Sequence, residues 1–249
     1  MTTPIRYLEA VRRILDHLEK TQLSVVEKAA DLVIAALSHG GTVHCHGIGH
    51  GTEGDFINRA GGLAAVQPFT FGLNVNDPVP DCLKDRPRAE PFERDLETVR
   101  FAVKASALRA GDVMMLGSVS GKNRGPIELA LACRASGVKV IGLTSMEYTG
   151  KVKSLHPSGK KLCEVVDVAI DNGAPYGDAV VAVPGFRQKV APLSSLTGVA
   201  IVNSLVAEVV ARLVRRGITP PVFMSANVDG ADEFNERLLS ANAHRIHYM

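Results

Sequence analysis

The sequence has little net charge and no long apolar segment. Its 28 basic and 26 acidic residues leave a formal charge of +2, which argues against a dedicated nucleic-acid binder. No apolar run is long enough to span a bilayer, and the charged, amphipathic start of the chain does not resemble a signal peptide. We therefore expect a cytoplasmic protein that binds neither nucleic acid nor membrane. Its 249 residues are enough for one large domain.

Cysteine is sparse and lacks metal-binding spacing. None of the four cysteines forms a C-x-x-C pair, and Cys45 and Cys133 lie in apolar segments. We expect buried reduced thiols, in keeping with a reducing cytoplasm. The cluster of His44, Cys45, His46 and His50 could suggest a metal site, but no H-E-x-x-H or C-x-x-C spacing supports one. We therefore expect no metal, and buried, hydrogen-bonded histidines instead.

Residues 111–127 carry the strongest functional signal. Apolar residues 113–116 favour a buried strand, and small polar residues follow before Pro126 and Glu128 begin a helix. Unpaired N–H groups and the helix dipole favour an anion at such a junction. Walker A spacing is absent, so the segment predicts another kind of phosphate-binding loop, with an ordinary serine-capped turn as the alternative. The expected phosphate contacts are Ser118, Ser120, Gly121 and Asn123.

A glycine-rich turn follows the first predicted strand. Residues 42–51 read TVHCHGIGHG, with glycine at positions 47, 49 and 51. A dinucleotide site would require G-x-G-x-x-G, so the spacing disfavours an NAD-dependent oxidoreductase. Glu53 and Asp55 lie in the first turn of the helix expected next. Carboxylates are stabilising near a helix N-terminus.

Strands alternate with helices along most of the chain, which predicts a parallel sheet with helices on both faces. Ligands in such sheets bind beyond the carboxyl ends of the strands, so the loops after Gly47, Gly117 and Leu143 should meet at one site. Strands are expected at the start of 42–51 and at 63–69, 113–116, 138–143, 165–170 and 179–183. Helices are expected at 5–37, where residues 21–24 could interrupt the helix with a capping box of Ser24 and Glu27, and at 52–58, 93–108, 125–136, 194–216 and 232–246. Loops are expected at 71–91 and 148–160.

Six short stretches resemble the SIS (sugar isomerase) domain family, in particular single-domain phosphosugar isomerases related to phosphoheptose isomerase. They span nearly the whole chain, at 59–63, 118–128, 143–145, 156–162, 177–179 and 220–230. The resemblance implies one α/β domain over 1–249, a three-layer αβα sandwich with a mostly parallel, flavodoxin-like sheet. It also implies that the helical region 1–38 packs on the domain and across the interface of a homodimer or higher homo-oligomer. On its apolar spacing alone, that helix could instead lie wholly on its own domain.

The resemblance implies a phosphosugar isomerase that interconverts aldose and ketose through an enediol without a cofactor. The reaction requires a carbon base and a group that moves protons at the oxygens, for which a carboxylate and a histidine are suited. Asp55 matches the family's helix carboxylate, Glu53 could substitute for it, and His156 matches the family's loop histidine. A non-catalytic phosphosugar sensor is the alternative, because regulators share the same loop. The resemblance adds substrate contacts from Gly49, His50, Gly51, Ser145 and Lys160.

Three positions depart from the family pattern. Asp55 stands where many relatives have glutamate, Gly51 where many have a phosphate- or sugar-binding serine, and Leu155 where a basic residue precedes the histidine. Carboxylates at Glu53 and Asp55 would also stabilise the N-terminus of their helix. A structural role is therefore an equal alternative to a catalytic role for both residues.

Overall fold

The protein is built from short strands that alternate with helices, in a computed structural model that describes residues 2–74, 76, 78–85 and 96–246. The strands are β1 (Val43–His46), β2 (Val66–Pro68), β3 (Val113–Gly117), β4 (Lys139–Thr144), β5 (Val168–Asp171), β6 (Ala179–Val181) and β7 (Val190–Pro192). The helices are α1 (Thr3–Ser38), α2 (Thr52–Phe56), α3 (Leu96–Ala105), α4 (Arg124–Ala135), α5 (Met146–Gly150), α6 (Ser194–Arg215) and α7 (Ala231–Ala241). Short 3-10 helices lie at Asp81–Leu83 and Leu162–Glu164.

Five parallel strands form the central sheet in the order β2-β1-β3-β4-β5. This is the flavodoxin-like order, and it confirms the predicted parallel sheet. The chain leaves β1 toward β2 on one side and returns to β3 on the other. The loops after β1 and β3 therefore diverge, which leaves a crevice at the carboxyl ends of these two strands.

Side chains alternate between the two faces of β3 and so connect two separate hydrophobic clusters. Val113 and Met115 pack with buried residues of α1 and α6. Met114 and Leu116 pack with buried residues of α3 and α4 on the opposite face. All four side chains are fully buried, which stabilises the fold by roughly 1.5–3 kcal/mol each. The three-layer αβα arrangement is confirmed.

Helix α1 runs without interruption, so the interruption considered near residues 21–24 and its capping box are wrong. The Thr21 hydroxyl donates to the carbonyl of His17 one turn earlier, at 2.8 Å, and therefore does not compete with the helix. Leu18 and Val26, on either side of this segment, are buried in the same cluster as α6. Packing against α6 thus favours a continuous helix over a local cap.

Other elements differ from the predictions in pairing or extent. Strand β6 lies outside the main sheet and pairs antiparallel with β7. The sequence analysis did not predict β7, because this strand has three residues and ends at Pro192. The predicted loop 148–160 begins inside α5, whose N-terminus is capped by the Ser145 side chain. Within the predicted loop 71–91 and helix 93–108, residues 75, 77 and 86–95 lie outside the described residues.

Helix α6 is the part of the described chain that is long and apolar enough to cross a membrane, contrary to the sequence expectation. Its buried residues, which include Ile201, Leu205 and Val209, belong to the core cluster shared with β1 and α1. Core helices of soluble proteins meet the same requirements of length and composition, so the feature is weak evidence for a membrane span.

Candidate functional site

A cavity of about 360 Å³ lies at the carboxyl ends of β1 and β3, in the crevice where this strand order binds ligands. The glycine-rich turn after β1 lines one side with residues 47–50 and Glu53. Ser118 and Val119, from the loop after β3, line another side. Leu143, Asn172 and Ser194 complete the lining from the ends of β4 and β5 and the start of α6.

Gly117 allows the two loops to approach each other. A Cβ atom at this position would lie 2.6 Å from the Cα of Ile48 and 2.7 Å from the carbonyl oxygen of Gly47. Any side chain would therefore displace the backbone of the first turn. The glycine that ends β3 thus places the turn after β1 beside the serine-containing loop.

Backbone hydrogen bonds hold the serine-containing loop against β4. The Ser118 N–H donates to Leu143 at 3.0 Å, and the N–H of Ser145 donates to Val119 at 3.0 Å. The hydroxyl oxygen of Ser118 is buried and has no hydrogen-bond partner among the described residues. Burying an unpaired hydroxyl costs free energy, so an acceptor in the cavity that Ser118 lines would stabilise this arrangement.

Helix α4, which begins directly after this loop, has an uncapped N-terminus. Its N-cap, Asn123, makes no side-chain capping bond, and no acidic residue lies in the first turn. The amides of Arg124 and Gly125 are among those that a helix leaves without an internal partner. The positive end of the dipole is therefore available to an anion.

The cavity brings together four of the predicted site residues, Gly49, His50, Glu53 and Ser118. The other predicted contacts lie outside its lining, although Ser120, Gly121 and Asn123 adjoin Ser118 along the loop. The hydroxyl of Ser145 accepts the N–H of Tyr148 and donates to the carbonyl of Ala174 at 2.5 Å. The remaining two outside the lining are Gly51, the N-cap of α2, and Lys160, which is exposed.

The two candidate carboxylates have different surroundings. Glu53 lines the cavity, and its Oε1 accepts the N–H of Gly47 in the glycine-rich turn. Asp55 lies outside the lining and pairs with the guanidinium of Arg59, four residues later, at 2.8 Å. On geometry, Glu53 is the carboxylate that can reach a ligand in the cavity.

His156 is buried in a hydrogen-bonded group beside α4 rather than in the lining of the cavity. The N–H of Ser158 donates to its Nδ1 at 3.1 Å, so its Nε2 carries the proton and donates to Oε2 of Glu128 at 2.7 Å. Glu128 also accepts from Arg100. Burial alone would raise the pKa of Glu128, but the hydrogen bonds from Arg100 and His156 outweigh burial and lower it.

Asn172 and Ser194 line the cavity and were missed by the sequence analysis. Asn172 directly follows β5, so the rule that ligands bind at carboxyl strand ends could have identified it. Ser194 begins α6, and its hydroxyl donates to Asp178 at 2.5 Å. That contact joins residues 16 positions apart, so no local sequence pattern indicates it.

The cysteines and histidines of the described chain do not assemble into a metal site: no group of three or more His, Cys, Asp or Glu residues there could hold an ion. Burial, with a smaller contribution from Glu53, raises the pKa of Cys45, and burial raises the pKa of Cys133 to about 12. The prediction that both are buried free thiols is confirmed. Of the three histidines expected to be buried, His44 is buried, with its Nε2 3.6 Å from Oδ2 of Asp112. His46 is half-buried, with its Nδ1 2.7 Å from the carbonyl oxygen of Phe69, and His50 is exposed, so the expectation of burial is wrong for these two.

The sequence matches a domain family and full-length relatives. The model of the SIS domain matches residues 6–145. A UPF0309 protein from Shouchella clausii is 36% identical over 247 residues, which cover 98% of each chain. A UPF0309 protein from Listeria innocua is 36% identical over 244 residues, which cover 96% of each chain.

Solved structures share the fold at low sequence identity. A phosphoheptose isomerase from Neisseria gonorrhoeae superimposes with a TM-score of 0.54 and 16% identity, over 84% of this chain and 96% of that chain. A phosphoheptose isomerase from Francisella tularensis superimposes with a TM-score of 0.50 and 14% identity, over 84% and 98%. At this level of identity, the similarity shows the fold alone.

The hydrogen bonds of Glu128 predict a pH-dependent contribution to stability. Glu128→Gln should lower the free energy of unfolding at pH 7 by roughly 2 kcal/mol, because it removes hydrogen bonds to a charged group. Since the pKa of Glu128 is lowered on folding, this stabilisation is fully present above its unfolded pKa of about 4.3. It is lost as the pH falls through the lower, folded pKa.

Urea unfolding of both proteins between pH 3 and pH 7 would measure this difference. Glu147→Gln is the control, because Glu147 pairs with Lys151 at the exposed surface and its loss should cost no more than about 0.5 kcal/mol. A Glu128→Gln effect that is equally small at pH 7, or that grows toward pH 3, would contradict the assigned interaction.

Proposed function

The chain belongs to the SIS (sugar isomerase) domain family, and from this premise we propose that it is a phosphosugar isomerase that interconverts aldose and ketose sugar phosphates. One observation carries the proposal: the unpartnered buried hydroxyl of Ser118 and the carboxylate-bearing Glu53 line the same cavity. A hydrogen-bond donor to the phosphate and a carbon base are two of the groups that the reaction needs, at opposite ends of a small sugar. The domain that we propose spans residues 1–249.

The phosphate is proposed to bind at the loop after β3. Ser118, Ser120 and Asn123 supply donors, and the uncapped N-terminus of α4 supplies amides and a favourable dipole. Gly121 adopts a left-handed conformation with φ of +62°, and a Cβ there would lie 2.7 Å from the Thr149 hydroxyl. Glycine at this position therefore lets the loop turn and pack against Thr149 without a clash.

Glu53 is proposed as the carbon base. It removes the proton from C2 of the aldose, the electron pair forms the enediol, and the same carboxylic acid returns the proton to C1. A second proton moves between the C1 and C2 oxygens. We assign this transfer to His50, which lines the cavity, ahead of His156, whose two ring nitrogens are already hydrogen-bonded.

We propose a cytoplasmic location, in keeping with four free cysteines. Recovery of the native protein in a washed membrane fraction of its own cells would argue against that location. The apolar helix α6 would then be the segment to test for membrane insertion.

A homodimer or higher homo-oligomer is also proposed, because α1 leaves an apolar stripe uncovered along its first two-thirds. Leu8, Leu15 and Leu23 are each at least 39% exposed. Leu15 and Leu23 also line an apolar cavity of about 220 Å³ between α1 and α6. Apolar surface of this kind is commonly covered in an oligomer.

The Leu8→Asp/Leu15→Asp double variant should shift the assembly toward monomer, because charge on the stripe cannot be buried without cost. Sedimentation velocity at several concentrations measures the change. Leu83→Asp, at an exposed position in the 3-10 helix Asp81–Leu83 and not on α1, should leave the sedimentation coefficient unchanged. A wild-type chain that remains monomeric at high concentration would end this proposal.

Loss of the loop hydroxyls should weaken phosphosugar binding. The Ser118→Ala/Ser120→Ala variant removes donors to a charged group, each worth roughly 1.5–3 kcal/mol, or about 10- to 150-fold in affinity. Calorimetric titration with sugar phosphates measures the loss, and Ser204→Ala, at an exposed position on α6, is the control. Unchanged affinity in a folded double variant would reject the phosphate assignment.

Removing the carbon base should slow proton transfer while binding persists. Glu53→Gln should reduce exchange of the C2 proton with D₂O by about 10²- to 10⁴-fold, as expected for a general base, with little effect on affinity. Asp55→Asn is the matched control on the same helix and should stay within a few-fold of wild type. Proton NMR of the sugar phosphate in D₂O follows the exchange, and His50→Ala and His156→Ala are measured alongside.

The outcomes separate the functional alternatives. If Asp55→Asn loses exchange and Glu53→Gln retains it, the assignment of the base is wrong. If the wild type binds a sugar phosphate and exchanges no carbon-bound proton, the non-catalytic sensor is supported instead. His156→Ala should lose stability before activity, because the histidine belongs to the buried group around Glu128.

A further inference from the structure

A distant carboxylate caps the N-terminus of helix α6. The N-cap residue is Leu193, whose side chain cannot accept a hydrogen bond. Instead, Oδ1 of Asp178 accepts the N–H of Leu193 at 3.1 Å and the N–H of Ser194 at 2.8 Å. Asp178 has a left-handed φ of +64°, a conformation that aspartate tolerates better than most residues. The carboxylate is therefore held in one place by the backbone on both sides.

The other oxygen of the same carboxylate sets the direction of the Ser194 hydroxyl. The hydroxyl donates to Oδ2 of Asp178 at 2.5 Å. A serine hydroxyl has one hydrogen and two lone pairs, and here the hydrogen is already used. Because Ser194 lines the cavity, its oxygen can accept a hydrogen bond from a ligand there but cannot donate one.

Charge around α6 favours the sugar, rather than its phosphate, beside Ser194. The carboxylate of Asp178 offsets the positive end of the α6 dipole, and the negative side chain of Glu53 lines the cavity itself. Helix α4 has no such compensation in its first turn. A bound sugar phosphate would therefore direct its anionic end toward α4 and its hydroxyl groups toward Glu53 and Ser194.

We propose that Ser194 is a specificity-determining residue that accepts a hydrogen bond from one hydroxyl of the bound sugar phosphate, and that Asp178 is the positioning residue that makes Ser194 an acceptor. The inference rests on the proposed function, since it concerns the substrate of the same cavity. A site that hydrogen-bonds a substrate hydroxyl rejects the analogue that lacks it, because its own polar group is left unpaired. Ser194 thus selects for a donor at one carbon of the sugar.

The test begins with the tightest binder among ribose 5-phosphate, glucose 6-phosphate, fructose 6-phosphate and sedoheptulose 7-phosphate. Its monodeoxy and monodeoxyfluoro analogues are titrated calorimetrically. At one carbon, the wild type should bind both analogues more weakly than the parent, on the order of tenfold or more, because neither can donate. Fluorine retains much of the size and polarity of the hydroxyl, so equal rejection of both analogues identifies donation as the property that is recognised.

Two variants distinguish recognition from a merely structural cap. Ser194→Ala should bind the parent and both analogues at that carbon with similar affinity, whereas Ser195→Ala, one residue along the same helix, should keep the wild-type pattern. In Asp178→Asn, the amide oxygen can still accept the two backbone N–H groups. Its NH₂ can donate to the Ser194 oxygen and release the hydroxyl hydrogen toward the cavity. The fluoro analogue should then bind better than the deoxy analogue. Partial unfolding would instead weaken the binding of both analogues alike.

Each result bears on the proposal. Rejection of both analogues that persists in Ser194→Ala would overturn it, as would a wild type that binds every monodeoxy analogue within about twofold of the parent. In either case the proposed binding of a sugar phosphate would stand, because the parent still binds, and the exchange of the C2 proton would still test the isomerase function separately. If none of the four sugar phosphates binds, the proposed function fails, and the inference about Ser194 fails with it.

Discussion

The approach of the glycine-rich turn after β1 to the end of β3 is the contact on which the site depends. It is possible because Gly117 has no side chain, since a Cβ there would meet the backbone of Gly47 and Ile48. The parallel sheet brings the two strand ends side by side, and the reversal of strand order leaves space above them. Separation of these loops would remove Glu53 and Ser118 from a shared cavity.

The N-termini of three helices differ in charge, which makes one side of the cavity more favourable for an anion than the other. Helix α2 carries Glu53 and Asp55 in its first turn, and α6 is capped by Asp178. Helix α4 has neither an acidic residue in its first turn nor a side-chain cap. A sugar phosphate carries its negative charge at one end. That end is favoured at the helix N-terminus that lacks a carboxylate, so the unequal charges would orient the ligand. The reacting carbons would then lie near Glu53.

Much of the fold could be predicted from the sequence because its elements have strong local signals. The apolar run of β3, the small polar residues after it and the helical start near Pro126 indicated the serine-containing loop, and its position at the strand ends followed from topology. The alternation of strands and helices similarly indicated the parallel sheet. In each case, neighbouring residues in the chain are sufficient to specify the element.

The remaining features depend on contacts between distant parts of the chain. The continuity of α1 follows from its packing against α6, which a capping-box pattern at residues 21–24 cannot report. The choice between Glu53 and Asp55 depends on the ion pair that Arg59 makes with Asp55. Asp178 has a left-handed backbone conformation, and its carboxylate accepts from Ser194, which lies 16 positions later in the chain. Each of these features depends on three-dimensional placement, which residue type and spacing alone do not specify.

A crystal structure with a bound sugar phosphate, for instance fructose 6-phosphate, would test the proposed orientation most directly. The phosphate should lie within hydrogen-bond distance of the Ser118 hydroxyl and the first amides of α4, with the C1 and C2 atoms of the sugar beside Glu53. Another, larger cavity of about 540 Å³ is lined by Arg6 and Arg13 of α1 and by Lys189 of the β6–β7 connection. Phosphate density in that cavity, with the loop after β3 empty, would contradict the proposed site.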